Sequence, residues 1–250
     1  MGAKMNDRVQ VWQIPLHVSE ETVQRYERCL AEDERSRANR FRFPDDRRRF
    51  IVARGTLRYL LSQHFQCVPH DIAFCYGKYG KPSVEPVGLE SQMSAERQTT
   101  AQSAPGNCDF HFNVSHSGEL ALCVLGYAHR VGIDIEKIKK IQRLDGMMER
   151  CLVSSEQRYV EAATHPLKAF LTYWTCKEAY LKAIGLGLSQ SMTSVQVEID
   201  PPRLTAVPTG CEDGWKLHLI AVPEAYTAAL VVAGGASVDV KHWAHSTMPA

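Results

Sequence analysis

No apolar run in this chain approaches the ~20 residues that a membrane span needs, and its first residues, MGAKMNDRVQVW, lack the apolar core of a signal peptide. The eight cysteines (Cys29, Cys67, Cys75, Cys108, Cys123, Cys151, Cys176, Cys211) stand singly, with no Cys-x-x-Cys pair to suggest a structural zinc. Charge of one sign is also lacking. Lys and Arg number 29 against 28 Asp and Glu, and no long basic block draws the chain toward nucleic acid. These absences lead us to expect a soluble, cytoplasmic protein with reduced thiols and neither a membrane nor a nucleic acid as partner. The 250 residues are 44% hydrophobic and 23% charged, which suits one compact domain or two small ones.

The pattern along the chain predicts an α+β fold. VQVWQIPL reads as a strand, SEETVQRYERCLAEDERSRANRF as a polar helix started by Ser19, and RRRFIVARGTLRYLLSQHF as a stronger helix with Phe50, Ala53, Leu57, Leu60 and Leu61 at helical spacing. Residues 85–108 are polar, small and aperiodic, and read as a flexible surface insertion. FHFNVSHSG and ELALCVLGY then read as two strands joined at a Ser-Gly turn, and VGIDIEKI as a third. In the second half, EQRYVEAATH and LKAFLTYWTCKEAYLKAIG read as helices, the latter capped by Gly185, and SVQVEID, WKLHLIAVP and YTAALVVAG as strands. ELALCVLG is similar to YTAALVVAG, and FIVARGTLRYLL to YWTCKEAYLKAI, taken with Arg54 opposite Glu178 and Arg58 opposite Lys182.

Asp134 and Glu136 alternate with Ile133, Ile135 and Ile138, so a strand there turns both carboxylates to one face and buries the other. Like charges side by side raise each other's pKa unless a cation intervenes, and Mg²⁺ is the hard cation that carboxylates hold while phosphate takes its remaining positions. Glu178 would supply a third oxygen if its helix crosses that strand, and Lys182 lies one turn beyond it. FNVSHSG brings Ser115 and His116 to a strand end. It is no nucleophile elbow, because Asn113 stands where G-x-S-x-G requires glycine. GKYGKP lacks the spacing of a phosphate loop and reads as a turn presenting Lys81. In RANRFRFPDDRRRF, Arg37, Arg40 and Arg49 are candidate phosphate contacts.

Taken in order, RFRF, YGKP, FNVSHSG, VGIDIEKI and WTCKEAYLKAIGLGL resemble the successive motifs of the Sfp-like (surfactin-synthetase-activating) type of the 4'-phosphopantetheinyl transferase superfamily. The resemblance covers residues 30 to 190 directly. It implies Mg²⁺-dependent transfer of 4'-phosphopantetheine from coenzyme A to a serine of an apo acyl, peptidyl or polyketide carrier protein, with release of adenosine 3',5'-bisphosphate. It implies two similar α+β halves, 1–126 and 127–250, related by a pseudo-twofold axis, each with a small antiparallel sheet on helices, and a monomer that completes its own site.

Carried over by motif, Asp134, Glu136 and Glu178 would bind Mg²⁺. Lys81, Ser115 and His116 would hold the adenosine phosphates, with Asn113 and Arg37 also in the coenzyme site. Lys182 would steady the pyrophosphate, and Glu178 or a metal-bound water would take the serine proton. Relatives often carry basic residues just before Arg37, where this chain has AEDERS. Carrier recognition is expected at an apolar patch lined by Met147, Met148 and Leu152, the alternative being that these are core residues. The alternatives are another Mg²⁺-dependent phosphotransferase, which would not explain the ordered FNVSHSG and YGKP, and a non-catalytic carrier- or coenzyme-binding module, which would be expected to lack one of the acids.

Overall fold

The computed structural model describes residues 8–84, 110–186, 190–208 and 214–247. The expected insertion at 85–108 lies outside them, as do Cys108 and Cys211.

The chain begins with β1 (Arg8–Pro15), α1 (Glu20–Arg28), α2 (Glu32–Ala38), α3 (Pro44–Phe65), the short hairpin β2 (Phe74–Tyr76) and β3 (Pro82–Val84), then β4 (Phe110–Ser117), β5 (Leu120–Tyr127) and β6 (Val131–Lys137). It continues through α4 (Leu144–Cys151), α5 (Ser154–Ala162), α6 (Pro166–Ile184), β7 (Gln196–Ile199), β8 (Pro202–Ala206), β9 (Trp215–Leu219), β10 (Tyr226–Ala233) and β11 (Ser237–His242). The expected α+β class is therefore observed.

The expected first helix is two. Ser19 caps α1 by accepting from Thr22 N at 3.3 Å, and the chain breaks before α2, where Glu34 Oε2 turns back to accept from Ala31 N at 3.1 Å. A buried Leu30 sits at the break, so packing rather than propensity sets it. Pro44 opens α3 and Pro166 opens α6, where a missing N–H costs nothing. Gly185 closes α6 in the left-handed conformation, φ +76°, as expected.

Two sheets form the centre. The first has the order β11-β1-β5-β4 and the second β6-β10-β9. Every pairing within them is antiparallel except β1 with β11, where Val9 stands beside Val238 and Val11 beside Val240. That strand departs from the expected all-antiparallel sheets: the end of the chain returns to the sheet that its beginning started.

Alternation along the strands sorts the core into layers. Val9, Val11, Leu122 and Val124 of the first sheet meet Val131, Ile133, Ile135 and Leu230 of the second in one buried cluster. The opposite face of the first sheet, Ala121, Cys123 and Leu125, packs under α1 and α3. The opposite face of the second, Ala229 and Val231, packs under α6. The protein is thus helices on sheet on sheet on helices, and the even positions of β6 turn toward α6.

Each helical layer is pinned by the same device. Glu34 is buried and its carboxylate meets Arg54 and Arg58 of α3, while Arg58 also donates to Pro69 O at 2.6 Å and Ile72 O at 3.0 Å. Glu156 of α5 is equally buried. Its Oε2 accepts from Val153 N at 3.0 Å and meets Lys177 of α6 at 2.6 Å, and Lys177 also donates to Cys151 O and Met192 O. Aligned residue by residue, FIVARGTLRYLL and YWTCKEAYLKAI place Arg54 opposite Lys177, not Glu178. The contacts agree, since both cations anchor a buried glutamate at the start of a short helix.

Candidate active site

The catalytic candidates gather because α6 lies directly on β6. A side-chain carbon at Gly132 would stand 2.1 Å from Ala179 O and 2.3 Å from Ala183 N, so only glycine lets the helix backbone come this close. With that contact fixed, Glu178 and Lys182 fall over the strand positions beyond Gly132. Lys182 Nζ lies 2.6 Å from Asp134 Oδ1 and donates to Ser115 Oγ at 3.0 Å.

The other wall is β4. It is the edge of its sheet as β6 is of the other, and every second side chain of β4 reaches across. Asn113 Oδ1 accepts from Ile133 N at 2.9 Å. Ser115 Oγ donates to Asp134 Oδ1 at 2.8 Å, and Ser117 Oγ donates to Glu136 Oε2 at 2.8 Å while accepting from Lys137 N at 3.0 Å. Side chains, not main-chain ladders, join the sheets here.

Asp134 is 3% exposed and Glu178 8%. Burial pushes the Glu178 carboxyl above its ordinary pKa; Lys182 opposes that, and Asp134 and Glu136 add to it. Burial likewise raises Glu136, opposed by the Ser117 hydrogen bond and reinforced by Asp134. One oxygen of each buried acid, Asp134 Oδ2 and Glu178 Oε1, has no hydrogen-bond partner. Buried carboxylate oxygens without donors are costly, and they are the hard, anionic donors that Mg²⁺ takes. Among the described residues no group of three or more His, Cys, Asp and Glu side chains is gathered closely enough to hold a metal ion as it stands. The donor set fits a hard cation in chemistry and in its unmet valence, while Lys182 occupies Asp134 Oδ1.

His116 follows Ser115 on β4 with its side chain exposed. Its pKa is lowered by desolvation first and then by Lys182 and Arg49, against Asp46. Arg49 is tied to the β4–β5 turn through Glu119, Nε to Oε1 at 3.0 Å, and to Asp46 at 3.0 Å. Arg37 is exposed and stands over the Phe50 ring, 5.1 Å from its centroid.

The acidic run before Arg37 is not a surface feature alone, since its Glu34 is the buried anchor of α3. Lys81 lies at the far end of α6, where it donates to Val131 O at 3.1 Å and Ala183 O at 2.9 Å. The structure therefore brings together Asn113, Ser115, Asp134, Glu136, Glu178 and Lys182, with His116 at the rim, and gives no contact between these side chains and Arg37 or Lys81.

Sequence reasoning missed Ser117 and Gly132. Ser117 continues the alternation of Asn113 and Ser115, and a lone glycine inside a strand marks a close approach of backbone, so both signals were present. Met148 and Leu152 are core residues, buried with Val160 and Phe170, and Met147 packs against them. They do not form the expected exposed patch, because α4 turns its apolar face inward onto α6. No described helix is long and apolar enough to cross a membrane.

Two family profiles match the chain: 4'-phosphopantetheinyl transferase, N-terminal, over residues 16–126, and the 4'-phosphopantetheinyl transferase superfamily over residues 130–231. The chain is 33% identical to the 4'-phosphopantetheinyl transferase HetI of Nostoc sp., over 96% of this chain and 93% of that one. It is 27% identical to the 4'-phosphopantetheinyl transferase Sfp of Bacillus subtilis, over 73% of this chain and 72% of that one. A solved holo-(acyl-carrier-protein) synthase of Bacillus anthracis in complex with CoA (3',5'-ADP) aligns with a TM-score of 0.36 at 27% identity, covering 41% of this chain and 92% of that one.

Proposed function

This chain belongs to the 4'-phosphopantetheinyl transferase superfamily, and from that premise we propose that it moves 4'-phosphopantetheine from coenzyme A to a serine of an apo carrier protein. The observation that carries the reading is the buried pair of unpartnered carboxylate oxygens, Asp134 Oδ2 and Glu178 Oε1, beside the Lys182 ammonium. Two buried anionic oxygens without donors, on neighbouring acids and beside an ammonium, support a place for a cation and a phosphate.

Asp134, Glu136 and Glu178 would hold Mg²⁺, which when bound neutralises charge on the coenzyme pyrophosphate. Lys182 lies against Asp134, from where it would pair with the pyrophosphate. Glu178, buried beside Lys182 and Asp134, would take the hydrogen of the incoming serine. The serine oxygen bonds to the phosphorus that carries pantetheine, the bond from that phosphorus to the nucleotide's bridging oxygen breaks, and adenosine 3',5'-bisphosphate leaves. His116 stands at the rim with Arg49 near it, and these groups beside Lys182 would draw a phosphate monoester there.

The implied division into similar halves, 1–126 and 127–250, is supported by the repeated glutamate-to-long-helix anchor, Glu34 with Arg54 and Glu156 with Lys177. The test is the intact mass of several apo carrier proteins after incubation with the protein, coenzyme A and Mg²⁺. Gain of one phosphopantetheine, abolished by chelator and by Glu178→Gln, is the expected result. No gain on any carrier from a folded sample that still binds coenzyme A would defeat the proposal and favour a binding module.

A further inference from the structure

Lys81 was expected among the phosphate contacts, and its surroundings argue for another role. Its ammonium bridges two elements: Val131 O, at the start of β6, and Ala183 O, in the last turn of α6. The last carbonyls of a helix have no partner within it and carry its negative dipole end, so a cation there is favourable twice over. Arg130 stands at the same helix end, 3.4 Å from Ile184 O. Both Lys81 bonds go to neutral carbonyls, and burial, then Arg130, pulls the ammonium down to about 8. A cavity of about 300 Å³ borders it, lined by Phe112, Arg130 and Gly185 among others.

We infer that Lys81 is a positioning residue that staples the end of α6 to the start of β6 and thereby sets Glu178 and Lys182 against Asp134. Arg130 reaches Ile184 O at the same helix end at 3.4 Å, longer than either Lys81 bond. Helix and strand touch where Gly132 meets Ala179 and Ala183, and along β6 the Lys182–Asp134 bond lies beyond Gly132 while the Lys81 bond to Val131 O lies before it. Lys81 holds the other side. Removing it loosens the helix end, and Lys182, the residue just before Ala183, and Glu178, five residues before it, shift with it.

The catalytic consequence rests on the transferase reading, while the staple itself does not. The test compares wild type with Lys81→Met, which keeps length and loses the donor, and Lys81→Arg, which keeps a donor. Hydrogen exchange is followed at the Gly185 and Leu186 amides, both bonded to Leu181 O, and kcat and KM for coenzyme A are measured on a carrier that wild type modifies. The inference expects those two amides to exchange about tenfold faster in Lys81→Met, and kcat to fall about 10- to 100-fold with KM changed by less than about threefold, as displacement of oriented groups does. Lys81→Arg recovers part of both.

A rise of tenfold or more in KM with kcat kept would make Lys81 a phosphate contact and overturn the inference. Unchanged exchange in a folded Lys81→Met would overturn it as well. Should the methionine variant not fold, the arginine variant decides by the same two readouts. If wild type modifies no carrier, the functional reading fails on its own, and exchange still tests the staple.

Discussion

Gly132→Ala isolates the contact on which the site depends. The added methyl would stand 2.1 Å from Ala179 O and 2.3 Å from Ala183 N, against the 3.4 Å at which ordinary contact begins. Both atoms are helix backbone, so no side chain can rotate away and α6 must retreat by about 1 Å, with an overpacking cost of about 1–3 kcal/mol. In a chain of this size each kcal/mol lowers Tm by about 2–4 °C. Reduced unfolded-state entropy alone would stabilise an alanine by about 0.4–1 kcal/mol, so the sign of the change reports the contact. The same retreat carries Glu178 and Lys182 with the helix, and about 1 Å of misplacement lowers turnover about 100-fold. Thermal unfolding followed by circular dichroism, beside kcat on a carrier at saturating coenzyme A, measures both effects. A Gly132→Ala protein that melts no lower than wild type and turns over at the same rate would refute the claim that this contact sets the site.

Lys177→Met leaves Glu156 buried and unpaired, and urea denaturation should report a loss of about 3–5 kcal/mol, partly recovered when Glu156→Gln is added. Glu178 has a folded pKa above its unfolded value, so its contribution to stability is present at acid pH and lost as pH rises through the folded pKa. Without Mg²⁺, Glu178→Gln should therefore melt higher than wild type at neutral pH, and added Mg²⁺ should raise Tm of the wild type and leave the variant unmoved; equal shifts in both would remove Glu178 from the metal set. Ser117→Ala takes a donor from Glu136 and an acceptor from Lys137 N, at a cost of about 1–3 kcal/mol. Glu136 should titrate higher still, which carboxylate NMR resonances would follow.

The carboxylate strand was legible because its pattern is local: Ile133 and Ile135 alternate with Asp134 and Glu136, and the period of two gives the face directly. α6 was legible for the same reason, down to its Gly185 cap. What the pattern could not give was decided by distant partners. β11, SVDVKH, is short and half polar, and it becomes a strand because β1 offers an open edge some 230 residues earlier. Glu34 reads as one more acid in AEDERS, and only the approach of Arg54 and Arg58 makes it a buried anchor. Residue type left Met147 and Met148 open between a carrier-facing patch and the core. The orientation of α4 depends on α6, which no spacing within DGMMERCLV reveals.

The polar alternation of β4 has a reason that the motif alone does not supply. An edge strand exposes main-chain groups that need partners, and here two edges, β4 and β6, meet without forming a ladder. Asn113 accepts from Ile133 N and Ser117 from Lys137 N, so side chains satisfy donors that a neighbouring strand would otherwise have met. Between these two stitches Ser115 spends its hydroxyl on Asp134, and Lys182 comes in from α6 to the same carboxylate oxygen. A continuous ladder would have closed the seam with backbone. Stitched by side chains, it can leave a carboxylate oxygen of Asp134 at the junction without a donor and remain held at both ends. The unmet oxygens of Asp134 and Glu178 make that arrangement costly, and under the proposed function that cost would favour the binding of a cation there.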